Sequence, residues 1–199
     1  MSNTLTYDIE GKRYINLTNA CTLKCSFCPK HNGTWAVKGH ELALDFNPKA
    51  KDIIIALGDL SQISEVVFCG FGESTLRLNE LLAIALHVKL LGLKTRLNTD
   101  GLGNLVHHRD ILPELATCID ALSISLNAQN EEVYNRHCCP SLKDSYSSLM
   151  DFIKAAPNFI DDVTITAIDG LEGVDIEACA TIAKDCGVKF RPRFLDEVG

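Results

Sequence analysis

The sequence contains no apolar run that approaches the roughly 20 residues needed to cross a bilayer, and its first residues lack the charged-then-apolar pattern of a secretory signal. Basic residues are also in the minority, because 19 Lys and Arg stand against 26 Asp and Glu and leave a net charge of −7. Proteins that bind nucleic acids present a basic surface to the phosphates, so this balance counts against that role. We therefore expect a cytoplasmic protein that does not enter a membrane.

Low-complexity segments, linkers and a cysteine-rich carboxyl-terminal region are absent as well. The 199 residues, 46% of them hydrophobic, are enough for one core, and we predict a single domain over 1–199. The nine cysteines are expected to be reduced, because structural disulfides are typical of secreted proteins.

Apolar, β-branched runs alternate along the chain with segments of helical periodicity. Strands are predicted at 14–19, 65–70, 94–98, 121–126, 163–168 and 188–194. Helices are predicted at 48–60, from 78 to a stop at Gly92, at 104–118 with a break at Pro113, at 131–137, at 146–156 and around 176–183. A small hairpin is predicted at 4–14, with Glu10-Gly11-Lys12 at its turn.

Six strands that alternate with helices predict an α/β fold with a parallel sheet and right-handed crossovers. A closed barrel normally has eight such units and about 250 residues, which this chain does not reach. Periodicity alone leaves two architectures open, an open partial barrel and a doubly wound sheet. Both bind ligands at the carboxyl edge of the strands.

Three cysteines, Cys21, Cys25 and Cys28, follow the first predicted strand in a short polar loop. A 4Fe–4S cluster held by three thiolates has one iron without a protein ligand, and that iron can bind a small molecule. Two alternatives stay open. His31 could complete a Cys3His zinc site, which would make the protein a non-catalytic adaptor, or the thiols could merely pack.

The spacing Cys-x3-Cys-x2-Cys, with an aromatic residue before the last cysteine, resembles the signature of the radical S-adenosylmethionine (SAM) enzymes. The resemblance implies a 4Fe–4S cluster whose open iron chelates SAM, and an open partial (β/α)6 TIM-type barrel. It further implies reductive cleavage of SAM to a 5′-deoxyadenosyl radical, which abstracts hydrogen from an unidentified substrate. Phe27 would lie beside the adenine, and an electron donor such as flavodoxin or ferredoxin would reduce the cluster.

The same resemblance suggests residues that bind SAM. Gly72 and Glu73, after the second strand, match a Gly-Gly-Glu-Pro motif that receives the methionyl ammonium group, and Ser74 stands in place of its proline. Asn98 ends the third strand and could face the ligand. Strand alternation puts Ser123, Ser125 and Asn127 on one face, and the resemblance suggests that Ser125 and Asn127 meet the ribose hydroxyls or the carboxylate of SAM. Water or backbone groups could instead satisfy these polar side chains.

Several further segments look most like the small TatD-associated radical SAM proteins. They are Asn16-Leu17-Thr18-Asn19, Ser125-Leu126-Asn127-Ala128, Tyr134-Asn135-Arg136 and Cys138-Cys139-Pro140. This likeness implies a TatD-type hydrolase as a partner and no established substrate.

Arg136 and the pair Arg191 and Arg193 are further candidates for binding an anionic group. Arg136 could hold the SAM carboxylate through a bidentate pair, or it could be a solvated helix residue. Arg191 and Arg193 share one face of the last predicted strand, and if that face looks inward they could bind an anionic substrate or the SAM carboxylate. The expected function is that of a radical SAM enzyme, with an activating enzyme for a glycyl radical on another protein as the catalytic alternative.

Overall fold

The computed structural model describes residues 3–195, and a seven-stranded sheet forms its centre. The strands are β1 (Thr6–Ile9), β2 (Lys12–Ile15), β3 (Ala36–Val37), β4 (His40–Glu41), β5 (Glu65–Phe68), β6 (Lys94–Thr99), β7 (Ala121–Ser125), β8 (Asp162–Asp169) and β9 (Lys189–Phe194). Strand β1 pairs antiparallel with β2, and β2 and β5 to β9 are parallel. Strands β3 and β4 form a separate small hairpin.

Seven helices connect and cover the strands of the described part of the chain. They are α1 (Ala50–Leu57), α2 (Leu78–Leu90), α3 (Gly103–His107), α4 (Leu112–Leu115), α5 (Glu131–Cys138), α6 (Ser145–Ala155) and α7 (Ile176–Asp185). Side chains cap the amino-terminal ends of two helices. Asn130 accepts from the Val133 N–H at 3.0 Å at the start of α5, and Asp175 accepts from the Ala178 N–H at 2.9 Å at the start of α7. None of the helices in residues 3–195 is both long and apolar enough to span a membrane.

The order of the strands decides between the two predicted architectures. The parallel strands that follow one another along the chain are also neighbours in space, in the order β2, β5, β6, β7, β8, β9. A doubly wound sheet reverses its order at a switch point, and the sheet formed by residues 3–195 has no such reversal. Right-handed crossovers then place the helices on one face. The prediction of an open partial (β/α)6 barrel in a single α/β domain is confirmed.

The two faces of the sheet differ in polarity. In β7, Leu122 and Ile124 are buried in the main apolar core under the helices. Ser123 and Ser125 alternate with them and therefore point to the inner, concave face. This polar inner face leads up to the carboxyl edge, where the loops after the strands gather.

The first strand was predicted at 14–19 and lies instead at Lys12–Ile15, so that one strand serves both the hairpin and the parallel sheet. Its turn is at Glu10 and Gly11, both of which have positive φ angles of 51° and 73°. Residues 16–18 are buried but leave the strand, because the Asn16 amide nitrogen donates to the carbonyls of Thr4 and Leu42 at 2.9 and 2.8 Å. Burial without ladder pairing explains why this segment resembled a strand.

Two helix predictions also need correction. The helix predicted at 48–60 covers only Ala50–Leu57, because Asp52 accepts from the Lys49 N–H at 3.0 Å and fixes a later start. The helix predicted at 104–118 is divided, as expected, but the break falls at His108, which has a left-handed φ of 52°. Pro113 lies in the first turn of α4, where its missing N–H has no cost.

Candidate functional site

The cysteine loop, residues 21–28, leaves the sheet at the carboxyl edge of β2. Its backbone is pinned by the residues that end and follow α5. The Lys24 N–H donates to the Cys138 carbonyl at 3.0 Å, and the Ser26 N–H donates to the His137 carbonyl at 2.8 Å. Ser141 adds a bond from its N–H to the Thr22 carbonyl at 3.0 Å. Hydrogen bonds from a distant part of the chain therefore hold the three-cysteine loop in one shape.

Each of the three thiols has a raised pKa in the metal-free protein. Burial raises the pKa of Cys21 to about 12, and burial also raises the pKa of Cys28. The pKa of Cys25 is raised by a hydrogen bond with the Cys138 thiol and by burial. Iron binds cysteine as the thiolate, so a cation at this loop would displace the three protons.

An orphaned hydroxyl lies beside these thiols. The side chain of Tyr134 is fully buried, and its Oη has no hydrogen-bond partner among the described residues. Burial raises the pKa of Tyr134, and the nearby Cys138, Asp100, Cys25 and Cys21 raise it further. A buried donor without an acceptor fits a bound group that accepts hydrogen bonds, as the sulfurs of an iron–sulfur cluster do.

Tyr134→Phe tests this reading. We expect the variant to raise the free energy of unfolding of the cluster-free protein by about 1 kcal/mol, because it removes a buried hydroxyl that has no partner. Tyr7→Phe is the matched control and should lower the same quantity, since the Tyr7 hydroxyl donates to the Cys69 carbonyl at 2.9 Å. Urea unfolding of the cluster-free proteins measures both. Equal destabilisation by the two changes would show that the Tyr134 hydroxyl is already satisfied.

The zinc alternative requires four ligands around one ion. Among residues 3–195, no three His, Cys, Asp or Glu side chains converge closely enough to hold a single metal ion. The cysteine ligands of a cluster bind different irons and need not converge on one point. The metal content of the purified protein therefore decides between the two kinds of site.

The loop after β5 packs directly on the segment that leads to the cysteines. The Glu73 N–H donates to the Ala20 carbonyl at 2.8 Å. At Gly72, a Cβ would lie only 2.1 Å from the Thr18 carbonyl oxygen and 2.7 Å from that of Ala20. Only glycine permits this approach of two backbones, and the approach helps to position the start of the cysteine loop.

The carboxylate of Glu73 is used inside the protein. Its Oε1 accepts from the Thr75 N–H at 2.9 Å, the Thr75 hydroxyl at 2.8 Å and the Thr99 hydroxyl at 3.0 Å. Its Oε2 accepts from the Asp100 N–H at 2.7 Å. Burial and the neighbouring Glu73 raise the pKa of Asp100 well above its usual value. Glu73 thus joins the loops after β5 and β6, and its carboxylate is fully used within the protein.

A second polar group lies on the inner face near the carboxyl edge. The Asn127 amide nitrogen lies 3.5 Å from the Cys138 sulfur, and its Oδ1 accepts from the Arg193 guanidinium at 3.0 Å. Asn127 has a left-handed φ of 62°, which directs its side chain between these partners. Two buried atoms nearby, Oδ1 of Asn98 and Nε of Arg193, have no hydrogen-bond partner in the described chain. These atoms are the groups that a polar ligand would satisfy.

Comparison with known proteins decides the family. The family model described as the radical SAM superfamily matches residues 15–186. The chain belongs to the radical SAM superfamily. It is therefore an enzyme of this superfamily, whereas its membership of the TatD-associated group stays a prediction. No curated protein matches the sequence.

Solved structures of radical SAM proteins share the fold. One is a radical SAM methyltransferase from Sphaerobacter thermophilus, with 14% identity, a TM-score of 0.61 and coverage of 95% of this chain and 68% of that chain. Another is Streptococcus suis SuiB bound to precursor peptide SuiA, with 16% identity, a TM-score of 0.68 and coverage of 92% and 39%. SuiB bound to S-adenosylmethionine has 17% identity, a TM-score of 0.65 and coverage of 93% and 38%. The chain thus spans about two thirds of the methyltransferase and under two fifths of SuiB.

The radical SAM motif residues predicted from the sequence do not all lie together. Ser125 is the last residue of β7 and Asn127 lies two residues beyond it, whereas Ser74 is buried after β5. Phe27 is half-buried against the main core. Arg136 lies apart on the outside of α5, where its exposed guanidinium pairs with Glu132 at 3.1 Å.

The departure of this chain from the Gly-Gly-Glu-Pro motif has a structural reason. Phe71 replaces the first glycine, and its ring packs edge-on against Trp35 with the centroids 5.9 Å apart. Phe71 also contacts the small apolar cluster of Tyr7, Val37 and Leu42. The aromatic side chain therefore ties the hairpin of β3 and β4 to the loop that carries Gly72.

Sequence reasoning assigned no site role to Tyr134 and Cys138. They are four residues apart on α5, so helical spacing predicts that they share a face. The sequence lacks the information that this face contacts the cysteine loop. Only the backbone bonds between α5 and the cysteine loop supply it.

Proposed function

We propose that this protein binds a 4Fe–4S cluster through Cys21, Cys25 and Cys28 and uses it to cleave SAM reductively, producing a radical that abstracts hydrogen from a substrate. The observation that carries the proposal is the three-cysteine loop at the carboxyl edge of a singly wound parallel sheet, in a chain of the radical SAM superfamily. When bound, the reduced cluster supplies the electron that breaks the carbon–sulfur bond of SAM.

The residues of the chain bind and orient the reactants. Backbone carbonyls of the loop at Gly72 and Glu73 would accept from the methionyl ammonium group, because the Glu73 carboxylate is already occupied by Thr75, Thr99 and Asp100. The Glu73 carbonyl already accepts from the Leu76 N–H at 3.2 Å, so it would use its second lone pair. Asn98, Ser125 and Asn127 offer polar groups on the inner face for the ribose hydroxyls or the carboxylate. Asn127 is buried and the other two are half-buried, which would limit the access of water to a reactive radical.

Arg136 is the weakest of the predicted SAM contacts, since Glu132 already pairs with it at the surface. Its place on the exposed side of α5 favours the alternative of a solvated helix residue. The guanidinium that points inward belongs to Arg193.

The proposal includes an external electron donor such as flavodoxin or ferredoxin, and a TatD-type hydrolase as a partner. Both come from the family resemblance. Helix α5 contacts the cysteine loop, and the small hairpin at 36–41 packs near Phe71 in the loop that carries Gly72, so these two elements are candidates to meet a substrate or partner protein.

Formation of 5′-deoxyadenosine is the test. We expect anaerobically reconstituted protein to produce it from SAM when dithionite is added, and to produce none when the reductant is omitted. Liquid chromatography with mass detection measures the product, and iron and acid-labile sulfide measure the cluster content. A fully loaded, reducible cluster in a protein that does not bind SAM would contradict the proposal.

A further inference from the structure

The inner face of β9 carries a row of basic side chains, Lys189, Arg191 and Arg193. Phe190, which alternates with them, packs on the core under the helices, so these three point to the concave side of the sheet. In the register of the sheet, Arg191 lies opposite Thr166 and Arg193 opposite Ile168. The row therefore runs from the amino-terminal end of the strands toward the cysteine loop.

Arg193 is an unusual guanidinium because it is largely buried and has one hydrogen bond, to Asn127 at 3.0 Å. Its Nε is buried without a partner, and no carboxylate in residues 3–195 forms an ion pair with it. Burial lowers the pKa of Arg193, and the like charge of Arg191 lowers it further, whereas the nearby thiols of Cys69, Cys25 and Cys138 raise it. A buried cation with an open donor is costly unless an anion joins it.

A cavity of about 340 Å³ lies at the start of this row. It is lined by Lys12, Glu65, Arg96, Ala121, Leu122, Ser123, Asp162, Thr164, Lys189 and Arg191. Both acidic residues are already paired. Glu65 forms ion pairs with Lys12 at 3.1 Å and with Arg96 at 3.2 Å, and Asp162 forms one with Lys189 at 3.0 Å. Arg191 has no ion pair within the described residues, so the cavity carries surplus positive charge in a chain whose net charge is −7.

We propose that Arg191 and Arg193 bind the anionic group, a carboxylate or a phosphate, of a small-molecule substrate held in the interior of the partial barrel. This inference rests on the proposed function for the identity of the bound molecule as a substrate. The cavity falls in the size range of small-ligand pockets. Arginine suits the task because its fork of donors matches carboxylate and phosphate oxygens.

The position of Arg191 separates this anion from the SAM carboxylate. The cavity that Arg191 lines is bounded by the first residues of β2, β5, β7, β8 and β9, at the end of the sheet opposite the cysteine loop. Residues two apart on a strand are spaced by about 6.6 Å, so Arg191 and Arg193 together span the depth between the cavity and the loop. An anion that contacts both arginines therefore lies deeper in the barrel than the carboxyl edge of the strands.

Calorimetric titration of the cluster-loaded protein with pyrophosphate and with succinate, at fixed ionic strength and with SAM present, tests the inference. We expect saturable binding of one probe, which identifies the group as a phosphate or a carboxylate. Arg191→Gln and Arg193→Gln should each weaken that binding by about tenfold. Arg109→Gln is the matched control and should change it less than about twofold, because Arg109 is exposed and pairs with Glu114.

Arg191 is exposed, so its variant keeps the test decisive even if the Arg193 variant fails to fold. Binding of neither probe, or binding that both variants leave intact, would overturn the inference. So would an Arg193→Gln protein that loses affinity for SAM but not for the probe. Cleavage of SAM without probe binding refutes this inference alone, whereas probe binding to a protein that cannot cleave SAM refutes the proposed function alone.

Discussion

Alanine at Cys21, Cys25 or Cys28 is expected to reduce the iron content of the reconstituted protein from about four atoms per chain to below about one. Each thiolate holds a different iron, so the loss of any one opens a second iron to solvent and removes the constraint that keeps the cluster in the loop. Formation of 5′-deoxyadenosine should fall by more than about 100-fold in each variant. Iron and sulfide analysis after anaerobic reconstitution, followed by the SAM cleavage assay, measures both effects.

Two matched variants make this experiment specific. Cys139→Ala removes a neighbouring but exposed thiol and should keep both iron and activity. His31→Ala separates the cluster from the zinc alternative, because a Cys3His site would lose its metal and a three-cysteine cluster would not. Retention of iron in the Cys25→Ala protein, or metal loss in the His31→Ala protein, would refute the assignment of the ligands.

Gly72→Ala is expected to lower the free energy of unfolding by about 3 kcal/mol, a large effect for a single methyl group. The added Cβ would lie 2.1 Å from the Thr18 carbonyl oxygen, and this neighbour is backbone that cannot rotate away. The loop after β5 would have to withdraw from the segment that leads to the cysteines. We therefore expect weaker binding of SAM together with the loss of stability, which urea unfolding and calorimetric titration measure.

Gly92→Ala supplies the control for this substitution. Gly92 has a left-handed φ of 77°, and no atom lies within 4 Å of its Cβ position. Its replacement has the backbone cost of about 1 kcal/mol without a collision, and it lies after α2, away from the loops at the carboxyl edge. Equal stability of the two variants would contradict the close approach at Gly72.

Much of the fold follows from local pattern. The strand predicted at 94–98 is Lys94–Thr99, and the one predicted at 188–194 is Lys189–Phe194, because alternation and β-branching are properties of neighbouring residues. Helix α1 begins later than predicted because the cap depends on where the Asp52 side chain lies. Local patterns place elements well and their ends less well.

The candidate site depends on contacts that local pattern does not contain. The spacing of Cys21, Cys25 and Cys28 is visible in the sequence, as is the position of Glu73. Which way Glu73 points is not visible, because its partner Thr99 belongs to another strand. The same holds for Arg193, whose inward direction depends on the register of β9 against β8.

The bonds that pin the cysteine loop also bear on how the protein is made. Ser26 and His137, which meet in the folded protein, are separated by 111 residues of chain. At about 5 to 20 residues per second, a ribosome needs roughly 5 to 20 seconds to make the intervening chain. During that interval α5 does not yet cover the thiols of the nascent chain, so they are open to oxidation or to binding of the wrong metal. If the loop binds the proposed cluster, we expect iron to be inserted after α5 has been synthesised, so that the order of translation would affect the assembly of the site.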